Sequence, residues 1–368
     1  MKLLFCIKQL HTAVGGAERV FCTLCSALAD RGHLVTVVTF DAPDQLPFFP
    51  LDARVRRVGL AIGDASQSAS AAETWRRMAA LRALVRAERP DVAIGFMHSM
   101  FVPLALALAG TAVPAIGSEH IVPEHYRSRP LQYLLLVATA PLLAAMTVLS
   151  EAIRRRYPGV VRRRMQVVPN PVQMAAGAAP GPGADSAQAV LLCVGRLDEQ
   201  KDHATLLRAF AQLAPEFPGW QLRLIGEGPL RTELTHLVAA LGLQARVAMP
   251  GVTHEIDAEY QRASVFVLSS RYESFGLVTA EAMAHGLPVV GFADCPGTNE
   301  LISPGHTGLL VDPGTDRAAA LASVLAGLLA DRELQRSLGA AGRRTIDDRF
   351  STARVCDAWE QLLQRVAR

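Results

Sequence analysis

Two successive series of short apolar runs, separated by longer amphipathic stretches, dictate what this chain can fold into. The first series is Lys2–Lys8, Leu34–Phe40, Val92–Phe96, Ala115–Ser118 and Met146–Ser150, followed by Gln166–Val168. The pattern restarts at Val190–Gly195 and runs on through Gln221–Ile225, Val247–Met249, Val265–Leu268, Val289–Phe292 and Leu309–Val311. Short apolar runs without polar alternation are strands buried on both faces, and strands separated by helix-length segments pair in parallel. Helices are predicted at Ala17–Asp30, stopped by Arg31-Gly32, and at Trp75–Glu88, stopped by Pro90. The fold class is therefore α/β with two Rossmann-like halves, which 368 residues accommodate. The expected domains are 1–172, a linker 173–187 rich in Ala, Gly and Pro, a second domain 188–348, and a C-terminal helix 349–368 packing back toward the first domain. Ligands of such sheets bind beyond the carboxyl ends of the strands.

Charge is divided unevenly between the halves. Met1–Val172 carries 20 Lys and Arg against 12 Asp and Glu, whereas Gln173–Arg368 carries 17 against 22. A basic first half points to an anionic partner, a membrane surface or a phosphate-bearing acceptor. Nucleic acid is disfavoured, because aromatic residues are few and not interleaved with the basic ones. Arg154-Arg155-Arg156 and Arg162-Arg163-Arg164 bracket Tyr157-Pro158-Gly159, a concentration that suits a phosphate-rich surface. Residues 131–149 hold no charge, which raises the possibility of a membrane span. Pro141 interrupts that stretch, and Met146–Ser150 reads as a strand, so helix, turn and strand are expected, with an interfacial helix as a separate possibility. Of the six cysteines, Cys22 and Cys25 form a Cys-x-x-C on a predicted amphipathic helix with no second pair, so buried packing is expected rather than a zinc site or a disulfide framework, and Lys2–Ile7 is too short for a secretory leader. A cytoplasmic protein, peripheral at the inner face of the plasma membrane, is expected.

Two motifs carry chemistry. Gly195-Arg196-Leu197-Asp198-Glu199-Gln200-Lys201-Asp202 follows a buried strand and opens a helix. Two cations beside a helix N-terminus suit a diphosphate. Arg271-Tyr272-Glu273-Ser274-Phe275-Gly276-Leu277 leads into a helix carrying Glu281. Glu273 can accept hydrogen bonds from sugar hydroxyls, the amides of Phe275, Gly276 and Leu277 form a second anion site, and Glu281 can accept from both hydroxyls of a ribose.

In this order and separation the motifs resemble family 4 of the retaining glycosyltransferases, which have the GT-B fold of two Rossmann-like domains facing a deep inter-domain cleft. The resemblance spans nearly the whole chain. It includes the glycine loop Gly15-Gly16-Ala17-Glu18-Arg19, the strand-end His120, Pro169-Asn170-Pro171-Val172, the turn Gly226-Glu227-Gly228-Pro229, the Glu273-to-Glu281 spacing, and Gly286-Leu287-Pro288-Val289-Val290. Ser274 stands where relatives often have Gly. The resemblance implies a nucleotide-diphosphate sugar donor, UDP-linked, carrying a hexose or N-acetylhexosamine, and a glycan or polyprenyl-diphosphate-linked acceptor. His120, Arg196, Lys201 and Glu273 are implied as catalytic. Gly16, Arg196, Lys201, Gly226, Val252, Glu273, Ser274, Phe275, Gly276, Leu277 and Glu281 are implied to bind the donor. The six arginines of the two triplets are assigned to acceptor or membrane. No cofactor is expected beyond the co-substrate, and no metal, since two cations can neutralise the leaving group and no Asp-x-Asp is present. A Cys295-Pro296-Gly297 loop runs toward Glu300, a weaker donor-site candidate.

Three alternatives share parts of this pattern. Asp41 ends the second predicted strand, where a dinucleotide's ribose-binding acid would sit, but Gly15-Gly16-Ala17 lacks the G-x-G-x-x-G spacing of a nicotinamide dehydrogenase. A nucleotide-sugar epimerase would share the fold. A non-catalytic partner protein would have lost site residues, and Arg196, Lys201, Glu273 and Glu281 are all present.

Overall fold

The computed structural model describes residues 1–12, 15–64, 67, 69–175 and 189–367. The chain forms two compact units, one of Met1–Pro171 with Thr352–Arg368, the other of Val172–Ser351. Residues 176–187 of the expected linker lie outside the described residues.

The strands of unit 1 are β1 (Lys2–Cys6), β2 (Leu34–Thr39), β3 (Arg56–Gly59), β4 (Val92–Phe96), β5 (Ala115–Ser118), β6 (Ala145–Val148) and β7 (Met165–Val167). Among the described residues they form one parallel sheet of order β3-β2-β1-β4-β5-β6-β7. The helices are α1 (Gly16–Asp30), α2 (Ala71–Glu88), α3 (His98–Leu108), α4 (Pro130–Thr139), α5 (Glu151–Arg155) and α6 (Gly159–Arg162). Residues 131–149 are thus helix, 3-10 turn and strand, as the interruption at Pro141 predicts. Among the described residues no helix is long and apolar enough to cross a membrane.

Strand β3 and the start of α2 differ from the sequence reading. β3 is not among the predicted strands. It is a short edge strand of sequence Arg-Arg-Val-Gly that pairs only with β2, so it needs no apolar run to be buried. Helix α2 begins at Ala71 rather than near Trp75, because Ser70 and Glu73 form a capping box: Ser70 Oγ accepts from the Glu73 amide at 3.2 Å, and Glu73 accepts from the Ser70 amide at 2.8 Å. The Ser-x-x-Glu spacing was legible in the sequence.

Unit 2 holds β8 (Ala189–Val194), β9 (Trp220–Ile225), β10 (Val247–Gly251), β11 (Val265–Leu268), β12 (Val289–Phe292) and β13 (Leu309–Val311), parallel in the order β10-β9-β8-β11-β12-β13. Its helices are α7 (His203–Leu213), α8 (Arg231–Ala240), α9 (Ile256–Arg262), α10 (Leu277–Ala284), α11 (Thr298–Leu301), α12 (Arg317–Ala330) and α13 (Arg332–Phe350). The last helix, α14 (Thr352–Val366), belongs to unit 1. It packs on α1, and its buried Trp359 lies 6.1 Å from the Phe5 ring and stacks on Phe96 at 6.2 Å. Arg31 fixes it by ion pairs to Asp357 and Glu360, both 2.7 Å. The six cysteines are free and buried, and Cys22 and Cys25 lie on the core side of α1, which gives their Cys-x-x-C a packing role.

Candidate active site

In a doubly wound sheet, a crevice opens where successive connections leave adjacent strands in opposite directions. In unit 2 those strands are β8 and β11, since the chain runs from β8 out to β9 and β10 and returns to β11 on the other side. The first motif leaves β8 and the second leaves β11, so topology alone brings them together. Hydrogen bonds then stitch them. The Arg271 amide donates to the Gln200 carbonyl at 2.9 Å, Gln200 Nε2 to the Tyr272 carbonyl at 2.8 Å, and Ser269 Oγ to the Lys201 carbonyl at 2.8 Å.

At the centre Lys201 Nζ meets Glu273 Oε1 at 2.6 Å, with the two side chains only 15% and 10% exposed. Burial alone would lower the lysine's pKa, but the adjacent Glu273 charge and its hydrogen bond outweigh that, and the pKa is raised. The lysine stem crosses Gly195, where a Cβ would lie 3.2 Å from its Cδ. The residue assigned to the diphosphate and the residue assigned to the sugar are therefore each other's partner. Arg196 is not drawn into this pair: its side chain is 62% exposed and pairs with Asp198 at 3.1 Å.

The surrounding backbone is held by glycines. Gly226 has φ +144°, and a Cβ there would stand 2.0 Å from the Gly195 carbonyl oxygen. Gly276 caps α10 in the left-handed region, φ +77°, and among the described residues no side chain caps the first amides of that helix, which have no intrahelical partner. Beneath it, the Glu273 amide donates to the Pro296 carbonyl at 3.0 Å, and a Cβ on Gly297 would meet the Glu273 carbonyl oxygen at 2.6 Å. Phe275 is buried, Ser274 and Leu277 are half-buried, and Val252, just beyond β10, is 56% exposed. Glu281 lies in the second turn of α10, buried, with Oε2 accepting from Tyr260 Oη at 2.9 Å. Sequence reasoning missed Tyr260. It sits 21 residues away on α9, and nothing in its local pattern points to Glu281.

In unit 1, His120 follows β5 and stacks on Phe96 at 4.7 Å. Its Nε2 is taken by Ser118 Oγ at 2.9 Å, which also bonds Thr147 Oγ1 at 2.7 Å. Desolvation, partly offset by Asn170, pushes the ring's pKa down to about 4, so it is neutral at pH 7. Gly16 opens α1 behind Gly15, the extended N-cap. The neighbouring Glu18 is buried, and desolvation raises its carboxyl to about 7. Asp41 is fully buried, and its carboxylate accepts from the Leu10 amide and contacts His11, so it is not free to hold a ribose. The two arginine triplets lie beside each other: Arg162 donates to the Arg155 carbonyl at 3.4 Å. Arg154 and Arg155 pair with Glu151, and Arg156 pairs with Glu124, while Arg162, Arg163 and Arg164 are exposed. Among the described residues, no cluster of three or more His, Cys, Asp or Glu is placed to hold a metal ion.

Comparison with solved structures gives the class. Sucrose-phosphate synthase from Thermosynechococcus elongatus superposes with a TM-score of 0.84 at 24% identity, covering 99% of this chain and 98% of that one. Anabaena HepE in complex with UDP and glucose superposes with a TM-score of 0.78 at 20% identity, covering 99% and 100%. Two parallel-sheet α/β units with these neighbours define the GT-B fold.

Sequence comparison gives the family. Residues 14–175 match the Glycosyltransferase Family 4 model and residues 180–345 match the Glycosyl transferases group 1 model, and the chain belongs to this glycosyltransferase family. A Campylobacter jejuni relative is 27% identical over 100% of this chain and 99% of its own length. It is the α-1,4-N-acetyl-D-galactosaminyltransferase acting on GalNAc-alpha-(1->4)-GalNAc-alpha-(1->3)-diNAcBac-PP-undecaprenol. An exopolysaccharide phosphotransferase of Streptomyces coelicolor is 28% identical over 95% of this chain, which spans only 39% of that protein.

Proposed function

We propose that this glycosyltransferase moves a hexose or N-acetylhexosamine, with retention of configuration, from a UDP-linked donor held by unit 2 to a hydroxyl of a glycan or polyprenyl-diphosphate-linked acceptor received by unit 1. The product would serve surface polysaccharide, lipopolysaccharide or related glycan assembly. The observation that carries this reading is the buried Lys201–Glu273 pair at the switch point, beside the α10 N-terminus. The UDP complexes of the structural neighbours and the undecaprenol-linked acceptor of the Campylobacter enzyme support the donor and acceptor classes.

Donor binding divides the pair. The diphosphate competes for the Lys201 ammonium, and Glu273, released, accepts from sugar hydroxyls. Arg196 folds in as the second cation, and Glu281, oriented by Tyr260, accepts from the ribose. The bond from the anomeric carbon to the diphosphate breaks on the face where the acceptor bond forms. The acceptor's proton passes to the departing diphosphate. His120 has Nε2 committed to Ser118, which suits a neutral hydrogen-bonding role rather than a base.

The test is transfer from UDP-glucose, UDP-galactose, UDP-N-acetylglucosamine and UDP-N-acetylgalactosamine to a panel of octyl glycosides and to undecaprenyl-diphosphate-linked N-acetylhexosamine. An α-linked product by NMR, formed equally fast with excess chelator, is expected. A β product would end the same-face mechanism. Loss of activity with chelator, restored by Mg²⁺ or Mn²⁺, would reject metal independence.

Peripheral attachment to an anionic membrane through unit 1 is part of this proposal. On α4, Leu131, Leu134 and Leu135 are 67%, 62% and 41% exposed, and Leu142 just beyond is 47% exposed. The three on α4 form an apolar stripe at helical spacing, and the exposed Arg127, Arg129, Arg162, Arg163 and Arg164 flank this stretch in sequence. Charge reversal of Arg162, Arg163 and Arg164 should weaken binding to phosphatidylserine vesicles at least ~10²-fold, at about 1 kcal/mol per basic residue. Binding should also fall with added salt. Equal sedimentation with neutral and anionic vesicles would count against this attachment.

A further inference from the structure

Unit 1 has its own switch point, between β1 and β4, which are adjacent while their connections run to opposite sides. The loop leaving β1 carries His11, and β4 leads into His98 at the start of α3. Both loops leave the carboxyl ends of these neighbouring parallel strands.

His11 is built in. Its Nδ1 lies 2.8 Å from Asp41 Oδ1, and the Asp41 side chain is wholly buried. The other Asp41 oxygen accepts from the Leu10 amide at 2.7 Å, while the Leu10 carbonyl accepts from Phe48 at 2.8 Å and the Lys8 carbonyl from Phe40 at 3.1 Å. The backbone entering His11 is therefore fixed. In the tautomer that donates Nδ1–H to a carboxylate, Nε2 is left as an acceptor on the opposite edge of the ring. The side chain is 27% exposed, and no described residue bonds Nε2. A buried carboxylate that holds an imidazole and turns its free nitrogen outward at a switch point is the arrangement of a ligand-binding group; packing does not require it.

We propose that His11 is an acceptor-binding residue, its Nε2 accepting a hydrogen bond from a hydroxyl of the acceptor glycan, and that Asp41 is its positioning residue. This rests on the transferase reading above. The experiment compares His11→Ala, His11→Gln and Asp41→Asn with the wild type, using the same UDP-sugars and acceptor panel. In His11→Ala the acceptor KM rises about tenfold, the effect of one lost hydrogen bond to a substrate hydroxyl, while the donor KM does not move. In His11→Gln, which keeps an acceptor atom, the rise is smaller. Asp41→Asn shifts the acceptor KM in the same direction. If Asp41→Asn does not fold, the two His11 variants decide. An unchanged acceptor KM in His11→Ala, or equal rises for donor and acceptor, would overturn the assignment. So would a collapse of kcat at unchanged acceptor KM, which would mark proton transfer. Failure of the wild type to turn over any donor, even to water, would overturn the transferase reading, and this assignment with it.

Discussion

Replacing Lys201 by alanine is expected to lower turnover by ~10²–10³, the loss typical when one preorganised charge aimed at a developing anion is removed. The substitution also leaves the Glu273 carboxylate, 10% exposed, without its cation. Breaking one half of a buried pair costs about 3–5 kcal/mol, so stability should fall together with activity. The two effects separate in the double variant Lys201→Ala/Glu273→Ala. Removing both charges should restore much of the thermal stability and none of the turnover. The measurement is a double-mutant cycle read by Tm and by initial rate. Single-variant turnover within threefold of wild type would show that the ammonium does not reach the leaving group. A raised lysine pKa also fixes the pH limb. On the alkaline side, the lysine's contribution to stability is fully present below its ordinary value of 10.5 and is lost as pH rises through the higher folded-state value.

Gly226→Ala is expected to destabilise the chain by about 3–5 kcal/mol, since the added Cβ meets a backbone carbonyl and not a side chain that could turn away. At 2.0 Å from the Gly195 oxygen, that Cβ forces apart the turn that carries the first motif. The turn is clasped to 226–230 by the Leu197 amide on the Glu227 carbonyl at 3.0 Å and the Leu230 amide on the Leu197 carbonyl at 2.9 Å. Gly242 is the control. It too has a positive φ, +68°, but a Cβ there has nothing within 4 Å, so Gly242→Ala should cost only about 1 kcal/mol. Thermal or urea unfolding of the two variants makes the comparison. Equal losses would show that conformation, and not the close approach, makes Gly226 necessary.

The parts of this protein that were legible in its sequence are those set by local chemistry. Val92–Phe96, Ala115–Ser118, Val265–Leu268, Val289–Phe292 and Leu309–Val311 are bounded by the pattern alone, because strands buried on both faces leave uninterrupted apolar runs. β3 leaves no such run, since an edge strand with one neighbour tolerates Arg56 and Arg57. Lys201 and Glu273 stand out in the sequence as separate contacts for phosphate and sugar. Their 2.6 Å pairing depends on β8 and β11 being neighbours, and strand order is not written in either motif. Tyr260 on Glu281 and Asp41 on His11 were illegible for the same reason: each joins side chains from different elements. Asp41 is visible as an acid at a strand end, but its partner can be found only once β1 and β2 lie side by side.

The division of the chain has a bearing on the order in which it can fold as it is synthesised. Unit 2 is a continuous segment, Val172–Ser351, closed on itself where the Val172 amide bonds the Phe350 carbonyl at 2.8 Å. Unit 1 is interrupted by it, and the aromatic cluster of Phe5, Phe21 and Phe96 is finished only by Trp359 of α14. The amino-terminal half, made first on the ribosome, must therefore wait with that face of α1 and β1 uncovered until the whole inserted segment has been translated. Unit 2 has no such wait and can reach its final form earlier. The usual progression of nascent domains from the amino terminus onward is therefore expected to reverse, with unit 2 complete before unit 1.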